Sequence, residues 1–333
     1  MATLAEKIPS ERMARVALSM IAEPNDPATG HVLAHAGGIE TLRLIESDDP
    51  VPGLARVDAL MWRGQLATQI VPGLVRRVAE TQGGEYGTLI PSDKEWPAGL
   101  DDLGDRAPYL LWTRGAVSFL TTELSDRVTI TGARASTSYG EHVTSELAAG
   151  MADEERVIVA GGAYGIEGTA HRRALAAGGH TVAVLASGLD RPYPAGHSDL
   201  LSRVGDLGLL VSELPPGATP TKHRFTARNR LMAALSGATV IPEAGVRSGS
   251  VTTVLAARAL GRSVGAVPGP VTSAASSGPN ELIKQGFAVL VTQPGDVIAL
   301  LDSNTPGSAI KRTELGRALG YHRPPSATPG PSI

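Results

Sequence analysis

The chain has 333 residues, 42% of them hydrophobic and 19% charged, with a formal net charge of -3. It can therefore bury a large core, and it is long enough for more than one domain. The absence of cysteine excludes disulfides, thiol catalysis and cysteine-based zinc sites.

The apolar stretches are short, and none approaches the roughly 20 residues needed to span a bilayer. The start, MATLAEKIPSERMARVAL, lacks the basic and apolar regions of a secretory signal, so a soluble cytoplasmic protein is expected. The eight histidines are expected to hold no metal.

Residues 1–107 carry 16 acidic against 10 basic residues. Short apolar-periodic stretches there predict small helices over Ser10–Ile21, Gly30–Glu46 and Leu54–Ala79, separated by Pro and Gly breaks such as Pro24, Pro50, Pro72 and Gly73. The segment from Gly87 to Gly115 is rich in Pro, Asp and Trp without a sustained period, and reads as an irregular connector. From Val128 onward, β-branched runs alternate with glycine turns and amphipathic segments. Strands are expected near 127–132, 156–161, 180–186, 207–212, 238–242, 263–267 and 288–292. Strands separated by helices pair in parallel through right-handed crossovers, which makes residues 108–302 a doubly wound α/β domain. Residues 303–333 read as a short, disordered tail with at most one helix, over 310–319.

In a doubly wound sheet, ligands bind beyond the carboxyl ends of the strands. Four junctions at those ends suit an anion. VTITGARASTSYGEH ends a strand at Gly132, places Arg134 next, and opens a helix with the capping box Ser138-x-x-Glu141. VIVAGGAYGIEGTAHRRAL offers Gly161, Gly162 and Gly165 for close backbone approach, with Tyr164 at the rim. Glu167 and His171 lie four apart on the following helix and could pair. A structural role for them competes with acid/base catalysis. In KHRFTARNR, Phe225, Arg228 and Asn229 share one helix face, with Lys222 and Arg224 leading into it. SGSVTT supplies Ser248, Gly249 and Ser250 at a helix start, a phosphate cradle without a lysine. For each junction an ordinary structural cap or solvated face is the competing reading.

Lys222 to Gly269 holds seven basic residues (Lys222, Arg224, Arg228, Arg230, Arg247, Arg258, Arg262) against one acid, Glu243. That excess points to a polyanion. Neither Gly-x-Gly-x-x-Gly nor a P-loop lysine is present, so no nucleotide cofactor is expected. Sites spaced along one sheet edge suit an extended backbone better than a single phosphate.

In this order, Gly132-Ala133-Arg134, GAYGIEGTAH, GLDRPYP, SELPPG, RFTARNR, RSGSVTT, VPGPV and GPNELIKQG resemble the DNA-processing protein A family (DprA, also called Smf). The likeness runs over roughly Leu111 to Leu301. It implies an extended Rossmann-like domain preceded by a small helical domain (SAM/helix-hairpin-helix-like). It also implies a nonenzymatic mediator that binds and protects incoming single-stranded DNA, loads a RecA-type recombinase and forms a homodimer through a sheet edge. Carried over, DNA contacts fall on Arg134, the Gly161–Gly165 loop, Phe225, Arg228, Asn229, Ser248, Gly249, Ser250 and Lys284. Tyr164 departs from the arginine common in the family and could stack on a base. Pro242 falls inside an expected strand, and no full winged helix fits after Asp302. Two alternatives remain at this point. One is a nucleotide hydrolase of the lysine-decarboxylase-like Rossmann group, whose second glutamate is replaced here by the Thr253-Val254 region. The other is an interaction protein that has lost DNA affinity.

Overall fold

The computed structural model describes residues 3–81 and 83–303. The acidic N-terminal part folds as α1 (Leu4–Lys7), α2 (Glu11–Ile21), α3 (Pro27–Glu46), α4 (Arg56–Ala67) and α5 (Leu74–Glu80). Their starts follow from the sequence. The Ser10 hydroxyl accepts from the Met13 amide, and the Asp26 carboxylate accepts from Ala28 and Thr29 ahead of a proline at the helix start. The expected single helix over 54–79 is two. Pro72 cannot continue a helix, and Gly73 turns the chain with φ +90°. His31 and His35, a His-x-x-x-His spacing on α3, stack with centroids 4.2 Å apart, and Nδ1 of His31 lies 3.1 Å from Asp105. Among the described residues no group of three or more His, Asp or Glu could hold a metal.

The rest forms one nine-stranded sheet among the described residues. In chain order its elements are β1 (Gly87–Leu89), β2 (Leu111–Gly115), β3 (Arg127–Ile130), α6 (Ser138–Asp153), β4 (Val157–Gly161), α7 (Ile166–Ala176), β5 (Thr181–Leu185), α8 (Ser198–Leu207) and β6 (Leu209–Ser212). They continue with α9 (Lys222–Ala234), β7 (Ala238–Ile241), α10 (Ser250–Ala259), β8 (Ser263–Ala266), α11 (Ser277–Lys284), β9 (Val289–Leu290) and α12 (Pro294–Asp302). The spatial order is β1-β2-β6-β5-β4-β3-β7-β8-β9. β6 through β9 are mutually parallel, while β2 pairs antiparallel with β6 and β1 with β2. The fold is thus α/β and Rossmann-like, with a mostly parallel sheet beside a helical N-terminal region.

All seven expected strands are present. The two extra strands fall in the segment read as an irregular connector. At three and five residues they are too short to display a period of two, and prolines surround them.

Strand parity sorts the core into layers. Val157 and Val159 pack with Leu231 and Met232 of α9 and with Leu235 just past its end, whereas Ile158 and Ala160 pack with Leu147 of α6 and Ala170 of α7. Burial on both faces explains why these strands read as continuous apolar runs. The helical part shares a core with the sheet, since Leu18, Leu42 and Trp62 belong to one cluster with Leu185, Leu201 and Leu210. Polar clamps reinforce it: Arg12 meets Asp93 at 2.5 Å, and the Tyr109 hydroxyl donates to the Glu23 carbonyl at 2.9 Å.

Pro242 costs no ladder bond, because β7 ends at Ile241 and its missing N–H falls beyond the last paired residue. The helix expected over 310–319 and the rest of the tail lie outside the described residues. No helix among the described residues is long and apolar enough to cross a membrane.

Candidate nucleic-acid interface

Chain direction places the site. β3, β4, β5 and β6 step outward to one side, and the chain then returns so that β7 pairs on the other side of β3. The carboxyl ends of β3 and β7 therefore flank a topological switch point, where α/β sheets open a crevice. A cavity of about 750 Å³ lies there. Its walls come from Thr131–Ala135 after β3, Ala163 and Glu167 after β4, the first two turns of α9, and Gly245–Thr252 after β7.

Buried Glu243, just after β7, ties its own loop to the loop after β3. Its carboxylate accepts from the Thr137 amide at 2.9 Å and the Thr137 hydroxyl at 2.6 Å, while its carbonyl accepts from the Ala133 amide at 2.7 Å. Helix α6 is capped by Thr137, whose hydroxyl accepts from Gly140. The expected Ser138–Glu141 box is not formed, and Glu141 instead accepts from the Ser136 hydroxyl.

Arg228 is the largest correction to the site. Expected at the cleft surface, it is 6% exposed, and its Nη1 donates to the Val184 carbonyl at 3.0 Å and stands 3.8 Å from Glu167. Burial lowers its pKa, and the Glu167 charge opposes that shift. Its buried Nε–H has no hydrogen-bond partner among the described residues. Glu167 in turn accepts from the Thr131 hydroxyl at 2.8 Å and the Ala163 amide at 3.1 Å.

The glycines serve this packing. A Cβ on Gly161 would stand 1.5 Å from Arg228 Nη1, and Gly165, at φ +74°, would bring a Cβ to 2.3 Å from the Ala133 carbonyl oxygen. The close approach read from Gly161, Gly162 and Gly165 is thus made by the protein's own arginine and neighbouring loops, and none of the three lines the cavity.

Phe225 sits between two cations, with the Arg134 guanidinium 4.8 Å and that of Arg228 5.9 Å from its ring centroid. Asn229 donates to the Gly249 carbonyl at 3.1 Å and the Thr252 hydroxyl at 2.6 Å, which fixes the loop where the Ser248 and Ser250 hydroxyls meet at 2.8 Å.

Much of the basic excess is consumed internally. Arg224 forms a forked pair with Glu23 of the helical part, at 2.6 and 3.0 Å. Arg230 forms one with Glu213, 2.6 Å at both oxygens, the two side chains 8% and 7% exposed. Arg262 pairs with Asp102, and Arg258 lies over Phe287 at 4.3 Å. Exposed Lys222 and Arg247 remain, joined by exposed Arg134, with no ion pair to any of them among the described residues. Arg247 belonged to the basic stretch but not to the expected contacts. Its position directly before Ser248 was the available signal. Tyr164, 46% exposed, stands outside the cavity wall with its ring edge-on to His197 at 4.6 Å. Lys284 ends α11, also outside the wall.

The Glu167–His171 pairing does not form. His171 is fully buried, bonded through Nδ1 to the Thr181 hydroxyl at 2.7 Å and through Nε2 to the Gly161 carbonyl at 2.9 Å. Burial pushes its pKa down to about 4, against the opposing influence of the Gly161 carbonyl and Glu167. The unfolded chain takes up this proton near pH 6.5, the folded chain only near 4, so stability falls as pH drops through that window. Up to about 3 kcal/mol is expected to be lost. Chemical denaturation at graded pH checks this, and His171→Gln should flatten the dependence.

These geometries have close counterparts. The family model for DNA recombination-mediator protein A matches residues 87–302. A Mycobacterium tuberculosis protein bearing the DNA processing protein DprA name is 42% identical over 312 residues, covering 88% of this chain and 78% of that one. DNA processing protein DprA of Streptococcus pneumoniae is 39% identical over 207 residues, or 62% of this chain and 71% of its own. The solved structure of DNA processing protein A from that organism superposes with a TM-score of 0.71 at 32% identity, covering 85% and 95% of the two chains. The structure describing the single-stranded DNA binding mode of DNA processing protein A from Helicobacter pylori gives a TM-score of 0.59 at 32% identity, covering 66% and 97%.

Proposed function

The chain belongs to the DNA recombination-mediator protein A family, and we propose that it binds single-stranded DNA in the switch-point cavity, protects it and passes it to a RecA-type recombinase, without nucleotide cofactor or catalysis. One observation carries this reading. Three exposed cations without acidic partners, Arg134, Lys222 and Arg247, line one cavity with Phe225, and its single lining carboxylate, Glu167, is already engaged. Phosphates would meet the cations and the buried Arg228 Nε–H, and a base would meet the Phe225 ring. Gly132 and the Ser248–Ser250 turn would bring backbone and hydroxyl groups to the strand. Tyr164 would stack on a base outside the cavity, and Lys284 would meet a phosphate further along.

Hydrolysis of a nucleotide needs carboxylates free to act, and Thr253 and Val254, at the position of the missing glutamate, are fully buried. A homodimer in the cytoplasm completes the proposal. Its support is the sheet edge at β9, which pairs only with β8 among the described residues and leaves Val289 58% and Leu290 47% exposed.

Mobility shifts with single- and double-stranded oligonucleotides, run beside a nucleotide-release assay, test this reading. Single strands should bind more tightly, without sequence preference or ATP, and no nucleotide should be released. Affinity should fall with salt by a slope of about 0.7 per neutralised phosphate. Salt-independent binding, or nucleotide release, would contradict the proposal.

A further inference from the structure

Two further cavities lie where the helical part meets the sheet. They measure about 420 and 250 Å³ and share Met20, Arg77 and Pro216 in their walls, so they form one groove. At one end the groove reaches Thr219 and Arg224. Arg224 stands on the first turn of α9, and Lys222 and Phe225 of that same turn line the switch-point cavity. At its other end the groove reaches Tyr86 and Trp112.

Trp112 is 1% exposed, and its indole N–H has no hydrogen-bond partner. The other two tryptophans differ, since Trp62 donates to the Thr29 hydroxyl and Trp96 to Asp101. A buried donor without a partner carries a desolvation cost that an incoming acceptor relieves. Arg77, exposed on α5, has no ion pair among the described residues. The acids beside it are already paired, Glu80 with Arg76 at 3.5 Å and Glu23 with Arg224 at 2.6 Å. An unpaired cation, a half-buried phenol ring and a buried N–H donor together complement a nucleotide: phosphate at Arg77, base against Tyr86 and Pro216, and a base acceptor toward Trp112.

We propose that this groove is a second nucleotide subsite, taking single-stranded DNA that continues from the switch-point cavity across the first turn of α9. The inference rests on the reading of that cavity as a DNA site. It gives the helical part a direct role in lengthening the bound strand.

Oligothymidylates graded in length, titrated into wild type, Arg77→Ala and Trp112→Phe with tryptophan emission recorded, test it. The shortest strands should bind all three proteins equally. Beyond a threshold length wild type should gain affinity several-fold, and both variants should lack that gain. Arg77→Ala should also lower the salt slope by about 0.7, for long strands only. Long strands should quench emission in wild type but not in Trp112→Phe. Arg77 is exposed, so its variant keeps the test valid if Trp112→Phe folds poorly. Equal affinity of wild type and Arg77→Ala at every length overturns the subsite and leaves the switch-point cavity standing. If wild type binds no oligonucleotide of any length, the subsite falls together with the reading beneath it.

Discussion

Arg230→Ala is expected to lower unfolding free energy by about 3–5 kcal/mol, because it leaves the carboxylate of Glu213 buried without its partner. Both side chains are more than nine-tenths buried, and both Glu213 oxygens accept from the guanidinium at 2.6 Å. Arg230 also donates to the Arg106 carbonyl at 2.8 Å, which ties the connector to α9. Removing both charges should cost less than removing one, so Arg230→Met with Glu213→Leu should be the milder change. Urea unfolding of wild type and the two variants measures this. A loss below about 1 kcal/mol in Arg230→Ala would put the pair in the class of solvated surface bridges.

Gly161→Ala should disturb both stability and DNA binding. The added methyl would stand 1.5 Å from Arg228 Nη1 and 2.5 Å from Glu167 Oε2, inside a buried pair. Displacing the guanidinium breaks its bond to the Val184 carbonyl and shifts the cation beside Phe225. Overpacking of this kind costs about 1–3 kcal/mol. The substitution should combine with Arg228→Ala less than additively, because both act on one contact. Additive losses in a double-mutant cycle would separate the glycine from the arginine.

The contrast between these arginines marks where the sequence was legible. Fully buried strands such as Val157–Gly161 announce themselves as apolar runs bounded by glycine, and their parallel order brings Gly132, Arg134 and the Ser248–Ser250 turn to one crevice. Charge counting was less reliable. Lys222 and Arg224 are two residues apart, yet one faces the cavity and the other reaches back to Glu23 of the helical part. The partners of Arg224, Arg228 and Arg230 lie at Glu23, Glu167 and Glu213. No local pattern encodes such pairings, and only the folded arrangement reveals which cations are free. The glycines at 161, 162 and 165 mark sites of close approach, but a glycine does not say whether a ligand or the protein's own side chain makes the approach. β1 and β2 are too short to show a period, and β2 finds its place in the sheet only by pairing with β6, about a hundred residues later in the chain.

Arg134, Lys222 and Arg247 share the switch-point cavity with Phe225, and a single titration decides whether they hold the strand. Wild type and the variant combining Arg134→Ala, Lys222→Ala and Arg247→Ala are titrated with a single-stranded oligonucleotide over a range of salt concentrations, with thermal melts as the folding control. All three side chains are exposed, so the variant should melt within a few degrees of wild type. Its affinity should fall for every sequence, and its salt slope should shrink by about 2 units, near 0.7 for each lost phosphate contact. A folded variant that binds with unchanged affinity and slope would contradict the account and place the DNA site elsewhere on the protein.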